Sequence, residues 1–180
     1  MKITETKLKD CFILEPHLFK DDRGYFFESF NQKQFNNLIG KSVTFVQDNE
    51  SFSTKGVVRG LHFQTGYFAQ AKLVRAVKGA VLDVAVDLRP KSPTFGKHIS
   101  IELTEENKKQ LFVPRGFAHG FAVLSKTAIF SYKCDNYYNK KSEAGIMFND
   151  PTLNINWKLS NEEILVSEKD ADLPTLKEYF

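Results

Sequence analysis

Between residues 43 and 135 apolar and polar residues alternate, and Gly- and Pro-rich breaks cut the alternation into short runs. The runs are "VTFVQDNES" (43–51), "GVVRGLHFQ" (56–64), "AKLVRAVKG" (71–79), "AVLDVAVDL" (80–88), "KHISIEL" (97–103), "KQLFVP" (109–114), "GFAVLS" (120–125) and "AIFSYKCD" (128–135). Period two marks strands whose side chains point alternately to two faces. Gly79, "RPKSPTFG" (89–96) and "PRGFAHG" (114–120) supply the turns. So many short strands at close spacing predict an all-β sandwich or barrel, because doubling or closing the sheet covers strand edges. The 17 Phe and 6 Tyr agree, since flat rings pack well on pleated surfaces.

The flanks read differently. Residues 1–30 look extended, broken by the turn "KDDRG" (20–24). "NQKQFNNLIG" (31–40) predicts a short helix with Asn31 as N-cap and Gly40 just past its end. "LTEENKK" (103–109) predicts a turn or a single helical turn capped by Thr104. The tail, 150–180, carries Trp157 and two helical candidates, "SNEEIL" (160–165) and "LPTLKEYF" (173–180), expected to cover one face of a sheet. With no repeat or Pro/Ser-rich linker in its 180 residues, the chain is expected to form a single domain, 1–180.

Charge narrows the function. The net charge is +3, and Lys108-Lys109 and Lys140-Lys141 are only short pairs, so a nucleic-acid partner is not expected. A modest positive field suits a small anionic substrate. "MKITETKLKDCF" lacks the apolar core of a signal peptide, and no run is long enough to span a bilayer. The expectation is a cytoplasmic chain without a membrane partner, in which Cys11 and Cys134 stay reduced.

Several residues are candidates for chemistry, each with an ordinary structural alternative. Arg59 and His62 in "RGLHFQ" are three apart, with Lys72 on the next run. In a regular strand i and i+2 share a face, so a bulge or twist must intervene for Arg59 and His62 to share a pocket. An inward face that collects Arg, His and Lys is costly unless it lines a polar cavity. "SEKDADLP" (167–174) puts Asp170 in a polar turn, which by itself reads as a surface turn or an N-cap. "FSYKCDNYYN" (130–139) offers Tyr132, Tyr137 and Tyr138, either as alternating strand aromatics or as a proton-donating phenol with rings that stack on a base. "DDRGYFFES" (21–29) and "QDNES" (47–51) place Arg23, Glu28, Gln47 and Asn49 among aromatics. Arg can fork onto phosphate and amides can read a base edge, yet neither segment alone points to a ligand.

Pro114-x-Gly116-x-x-His119 resembles the second motif of the cupin barrels, where the histidine is often a metal ligand. The first motif would be His62-Phe63-Gln64, with Gln64 in place of a second His and no Glu before Gly79. A catalytic metal usually wants three protein ligands. The expectation is therefore a double-stranded β-helix, the cupin or jelly-roll barrel, with short peripheral helices and no metal.

Taken in order, "DDRGYFFESF", "QDNESFSTKGVVRGLHFQ", "AQAKLVRAVKGAVLDVAVDLRPKSPTFGKH", "LTEENKKQLFVPRGFAHGFAVLS" and "SEKDADLPTL" resemble the dTDP-4-dehydrorhamnose 3,5-epimerase family over almost the whole chain. The resemblance implies a cofactor-independent epimerase acting on a dTDP-linked 4-keto-6-deoxy sugar. It implies His62 as base, Asp170 as the carboxylate that orients it, Tyr132 as acid and Lys72 beside the 4-keto oxygen. It further implies Arg59 and His119 as substrate-pocket residues. Arg23, Phe26, Glu28, Gln47, Asn49 and Tyr138 match nucleotide-binding positions, some reaching the neighbouring subunit's site in a homodimer. Where the family usually has a Pro-rich turn after the base, this chain has Thr65-Gly66-Tyr67-Phe68. The enzyme alternatives are a single-carbon epimerase or a 3,4-ketoisomerase on a related nucleotide sugar. A metal-dependent cupin and a non-catalytic sugar-binding cupin are the readings from other classes.

Overall fold

The computed structural model describes residues 1–180. The N-terminal segment forms β1 (Lys2–Glu5), β2 (Phe12–Glu15) and a hairpin of β3 (Phe19–Asp21) and β4 (Gly24–Phe26), followed by helix α1 (Gln32–Ile39). The alternating region gives β5 (Gln47–Thr54), β6 (Val58–Gln64), β7 (Lys72–Lys78), β8 (Ala80–Asp87), β9 (His98–Thr104), β10 (Gln110–Val113), β11 (Phe117–Val123) and β12 (Thr127–Cys134). A short β13 (Glu143–Gly145) and two one-turn helices, α2 (Glu168–Ala171) and α3 (Leu176–Tyr179), complete the chain.

The strands make two antiparallel sheets, ordered β1-β2-β10-β7-β12-β5 and β13-β6-β11-β8-β9. The sheets face each other across a core that includes Val74, Val81, Leu103, Leu111, Phe121 and Phe130. This is the jelly-roll barrel expected of the alternating runs. Alternation decides what lies inside: on β8, Val81, Asp83 and Ala85 point into the barrel, while Leu82, Val84 and Val86 point out.

Each outer face acquires its own cover. The tail lays Leu153, Trp157 and Leu176 over Leu82, Val84 and Ala118 of the five-stranded sheet. α1 lays Phe35 and Ile39 on Leu73 and Phe112 of the six-stranded sheet. The helix has the expected ends: Gln34 N donates to Asn31 Oδ1, and Gly40 takes a left-handed φ of 65°.

Three expectations need correction. Residues 160–165 are not helical. The backbone of Leu165 donates to Gly56 O and accepts from Val58 N, forming a parallel bridge beside β6. A helix of six residues gains too few internal bonds to offset its nucleation, so pairing with the sheet wins. The turn at 114–120 is also shorter than read: β11 begins at Phe117, which places His119 inside a fully buried strand. The helix expected over 173–180 is present only as the single turn α3, held by the Thr175–Glu178 capping box.

Candidate active site

A bulge answers the geometric question posed by "RGLHFQ". His119 lies opposite His62, but Phe121 lies opposite Arg59, so two residues of β6 face one of β11 between them. The bulge reverses the facing of β6 part-way: Val57 and Arg59 turn inward before it, His62 after it. Glycines permit it. A Cβ on Gly60 would lie 2.6 Å from Gly120 Cα, and one on Gly120 would lie 2.6 Å from Arg59 O. Gly60 also has a φ of 116°, which side-chain-bearing residues rarely adopt.

The inward side chains at this end enclose a cavity of about 510 Å³. Arg59, His62, Lys72, His119, Tyr132 and Asp170 all line it. Asp170 reaches it from α2, with Ser167 as N-cap. His62 Nε2 stands 2.8 Å from Asp170 Oδ1, and Gly60 N donates to Asp170 Oδ2 at 3.1 Å. The Asp170 side chain is 6% exposed, so the turn expected at the surface is an internal partner of the histidine. Burial pushes its carboxyl up, but the His62 and Gly60 hydrogen bonds outweigh this and hold it below the ordinary value. It is therefore a carboxylate at neutral pH.

Tyr132 and Lys72 come from the opposite sheet, on β12 and β7, with the Lys72 Nζ 5.8 Å from the Tyr132 ring centre. Burial raises the phenol's pKa, so it holds its proton at neutral pH. Burial lowers the pKa of Lys72, against the opposing charges of Asp83 and Glu143. Arg59 Nε donates to Ser53 Oγ at 3.2 Å. His119 Nε2 stands 2.9 and 3.1 Å from the two oxygens of Asp83. No group of three His, Cys, Asp and Glu side chains converges as a set of metal ligands.

A second cavity of about 290 Å³ shares His62, Lys72 and Tyr132 with the first. Gln47, Asn49 and Tyr138 line it, as does Glu143. Tyr138 Oη donates to Glu143 Oε2 at 3.0 Å, and Gln47 Nε2 donates to Asn49 Oδ1 at 3.0 Å. The loop that departs from the family pattern forms one 3-10 turn, Gly66–Phe68, between Gln64 and Gln70 of this cavity. Arg23, Phe26 and Glu28 line neither cavity. Arg23 and Phe26 project from the β3–β4 hairpin, with Phe26 69% exposed and Arg23 bound only to Asp21. Glu28 is exposed on the segment just beyond it.

The family model described as dTDP-4-dehydrorhamnose 3,5-epimerase matches residues 5–178. The chain belongs to the dTDP-4-dehydrorhamnose 3,5-epimerase family, isomerases that act on a dTDP-linked sugar. The dTDP-4-dehydrorhamnose 3,5-epimerase of Escherichia coli K12 is 53% identical over 178 residues, which covers 99% of this chain and 96% of that protein. A crystal structure of the enzyme from Elizabethkingia anophelis is 57% identical with a TM-score of 0.96, covering 99% and 97% of the two chains. A Legionella pneumophila 3,5-epimerase, solved in complex with dTDP-4-keto-L-rhamnose, is 47% identical with a TM-score of 0.94, covering 98% and 93%.

Three further residues belong to this site. Lys169 lines the first cavity and Glu143 the second, and their side chains pair at 2.6 Å. Nothing local in "SEKD" or "KSEAG" marks them. Asp83 is different: a charged residue in an inward slot, flanked by the apolar run Val81–Val86, was a visible signal.

Proposed function

We propose that the chain inverts C3 and C5 of dTDP-4-dehydro-6-deoxy-D-glucose to give dTDP-4-dehydro-L-rhamnose, with these cavity residues as its machinery. The observation that carries the assignment is the placement of acid and base. His62 belongs to the five-stranded sheet and Tyr132 to the six-stranded sheet, and both line one cavity. A sugar ring held between them has a base on one face and an acid on the other, which is what inversion requires.

The steps follow from the groups present. His62 Nε2 is held by Asp170, which leaves Nδ1 to take the proton from the carbon next to the ketone. The C–H electron pair moves into the ring and the ketone oxygen becomes an enolate oxyanion. Lys72, with Arg59, supplies positive charge and donors there, and such preorganised groups are often the largest catalytic contribution. Asp170 stabilises the imidazolium. Tyr132 returns a proton from the opposite face, restoring the ketone with the carbon inverted. Solvent resets the imidazolium and the phenolate before the second carbon reacts. The substrate's own ketone accepts the electron pair, so the scheme uses no cofactor.

Gln47, Asn49 and Tyr138 suit the nucleotide in the second cavity: amides for a base edge and a ring for stacking. Arg23, Phe26 and Glu28 fit as groups delivered to a second copy's site, so the working form is a homodimer of single-domain subunits. Biosynthetic work on a nucleotide sugar suits the cytoplasm. No helix is long and apolar enough to cross a membrane.

Tyr132→Phe tests the assignment. In D₂O the variant is expected to go on exchanging substrate protons while inverted product forms about 10²- to 10⁴-fold more slowly. Product formation at the wild-type rate removes Tyr132 as the acid.

A further inference from the structure

Asp83 is the least ordinary residue in the barrel. It is 0% exposed, in the middle of β8, with apolar Val81 and Ala85 on either side of it on the inward face. A buried carboxylate is costly unless hydrogen-bonded or paired. Both of its oxygens turn to one donor, His119 Nε2, at 2.9 and 3.1 Å. It does not line the cavity; it stands behind His119, which does.

The arrangement repeats the His62–Asp170 pair. His62 and His119 are register partners on β6 and β11, and each gives Nε2 to a buried aspartate. Fixing Nε2 fixes the ring, so the free nitrogen of each, Nδ1, is the one left for the sugar. Lys72 enters the same space without a carboxylate partner of its own within salt-bridge distance. It faces Asp83 from β8, Tyr132 and Cys134 from β12, Glu143 from β13, Arg59 and His62 from β6 and His119 from β11.

We propose that Asp83 is a positioning residue for the epimerisation: it locks His119 with Nδ1 toward the sugar and supplies the buried negative charge that Lys72 faces inside the barrel. The role rests on the reaction centre proposed above. It separates two functions that a fixed His119 and a charged Lys72 serve together, orientation of the sugar and stabilisation of the enolate.

Asp83→Asn keeps the size and a hydrogen-bonding side chain but removes the charge. The expected result is a kcat at least about 50-fold lower, with KM and dTDP affinity changed less than about threefold, the pattern of a transition-state interaction. The alkaline limb of the kcat profile should also move. Burial already lowers the Lys72 pKa, and losing an opposing charge lowers it further, so activity should fall at lower pH by about one unit or more. A merely structural aspartate would move neither the limb nor the split between kcat and KM. A kcat within twofold of wild type, on an unchanged pH profile, overturns the proposal. Should the variant fail to fold, ¹⁵N NMR of the 4 histidines in the wild-type enzyme decides. His119 should carry its proton on Nε2, and a bare Nε2 contradicts the clamp. Wild-type turnover in the same assay keeps the two readings apart. No exchange by wild type overturns the reaction centre and this role together, whereas wild-type exchange matched by Asp83→Asn overturns only this role.

Discussion

The two ends of the barrel interior are built by strands of the same two sheets, yet they hold opposite chemistry. At one end Leu8, Ile99, Leu103, Leu111 and Phe117 close into an apolar core. At the other, Arg59, His62, Lys72, His119 and Tyr132 surround a cavity. On β7 the change takes one step of the alternation, from Val74 in the core to Lys72 in the cavity; on β12 Phe130 belongs to the core and also lines the cavity beside Tyr132. The difference shows how the fold divides its work. The apolar end pins the strands, and the pinned strands hold charged groups inside a barrel where they would otherwise be costly. Preorganisation at the polar end is thus borrowed from packing at the apolar end.

Substitutions at the two ends should separate rate from stability. The largest effect is expected from His62→Ala. It should reduce epimerisation by about 10⁴-fold or more, the upper range for a general base, while the melting temperature and dTDP binding stay near wild type. Retained turnover, measured by product formation, would remove His62 as the base. Leu103→Ala should do the reverse. Leu103 is wholly buried in the inter-sheet core, so truncation is expected to destabilise by about 2–5 kcal/mol in denaturant unfolding. The folded fraction should keep a kcat within a few-fold of wild type. A large loss of kcat in folded Leu103→Ala would blur the contrast between the ends and show that the cavity depends on the exact core shape.

The two ends were also unequally legible in the sequence. The strands were plain, because period two marks the runs 71–79 and 80–88 and Gly79 marks the turn between them. The α1 caps were legible for the same reason, since Asn31 and Gly40 act within a few residues. The site depends on events that alternation cannot express. Strict period two puts Arg59 and His62 on opposite faces, and only the bulge, permitted by Gly60 and Gly120, reunites them. Asp170 is 108 residues from His62 and, read locally, was a surface turn; its place follows from how the tail crosses β6. The tail itself was misread at 160–165, where a parallel bridge to Val57 replaces the helix. The resemblance to the family brought these residues together before the geometry did.

The most direct test of the account is proton NMR of the purified protein with dTDP-4-dehydro-6-deoxy-D-glucose in D₂O. The account predicts deuterium at both C3 and C5 of the sugar as dTDP-4-dehydro-L-rhamnose appears. Deuterium at a single carbon, movement of the ketone to C3, or no exchange at all would contradict it.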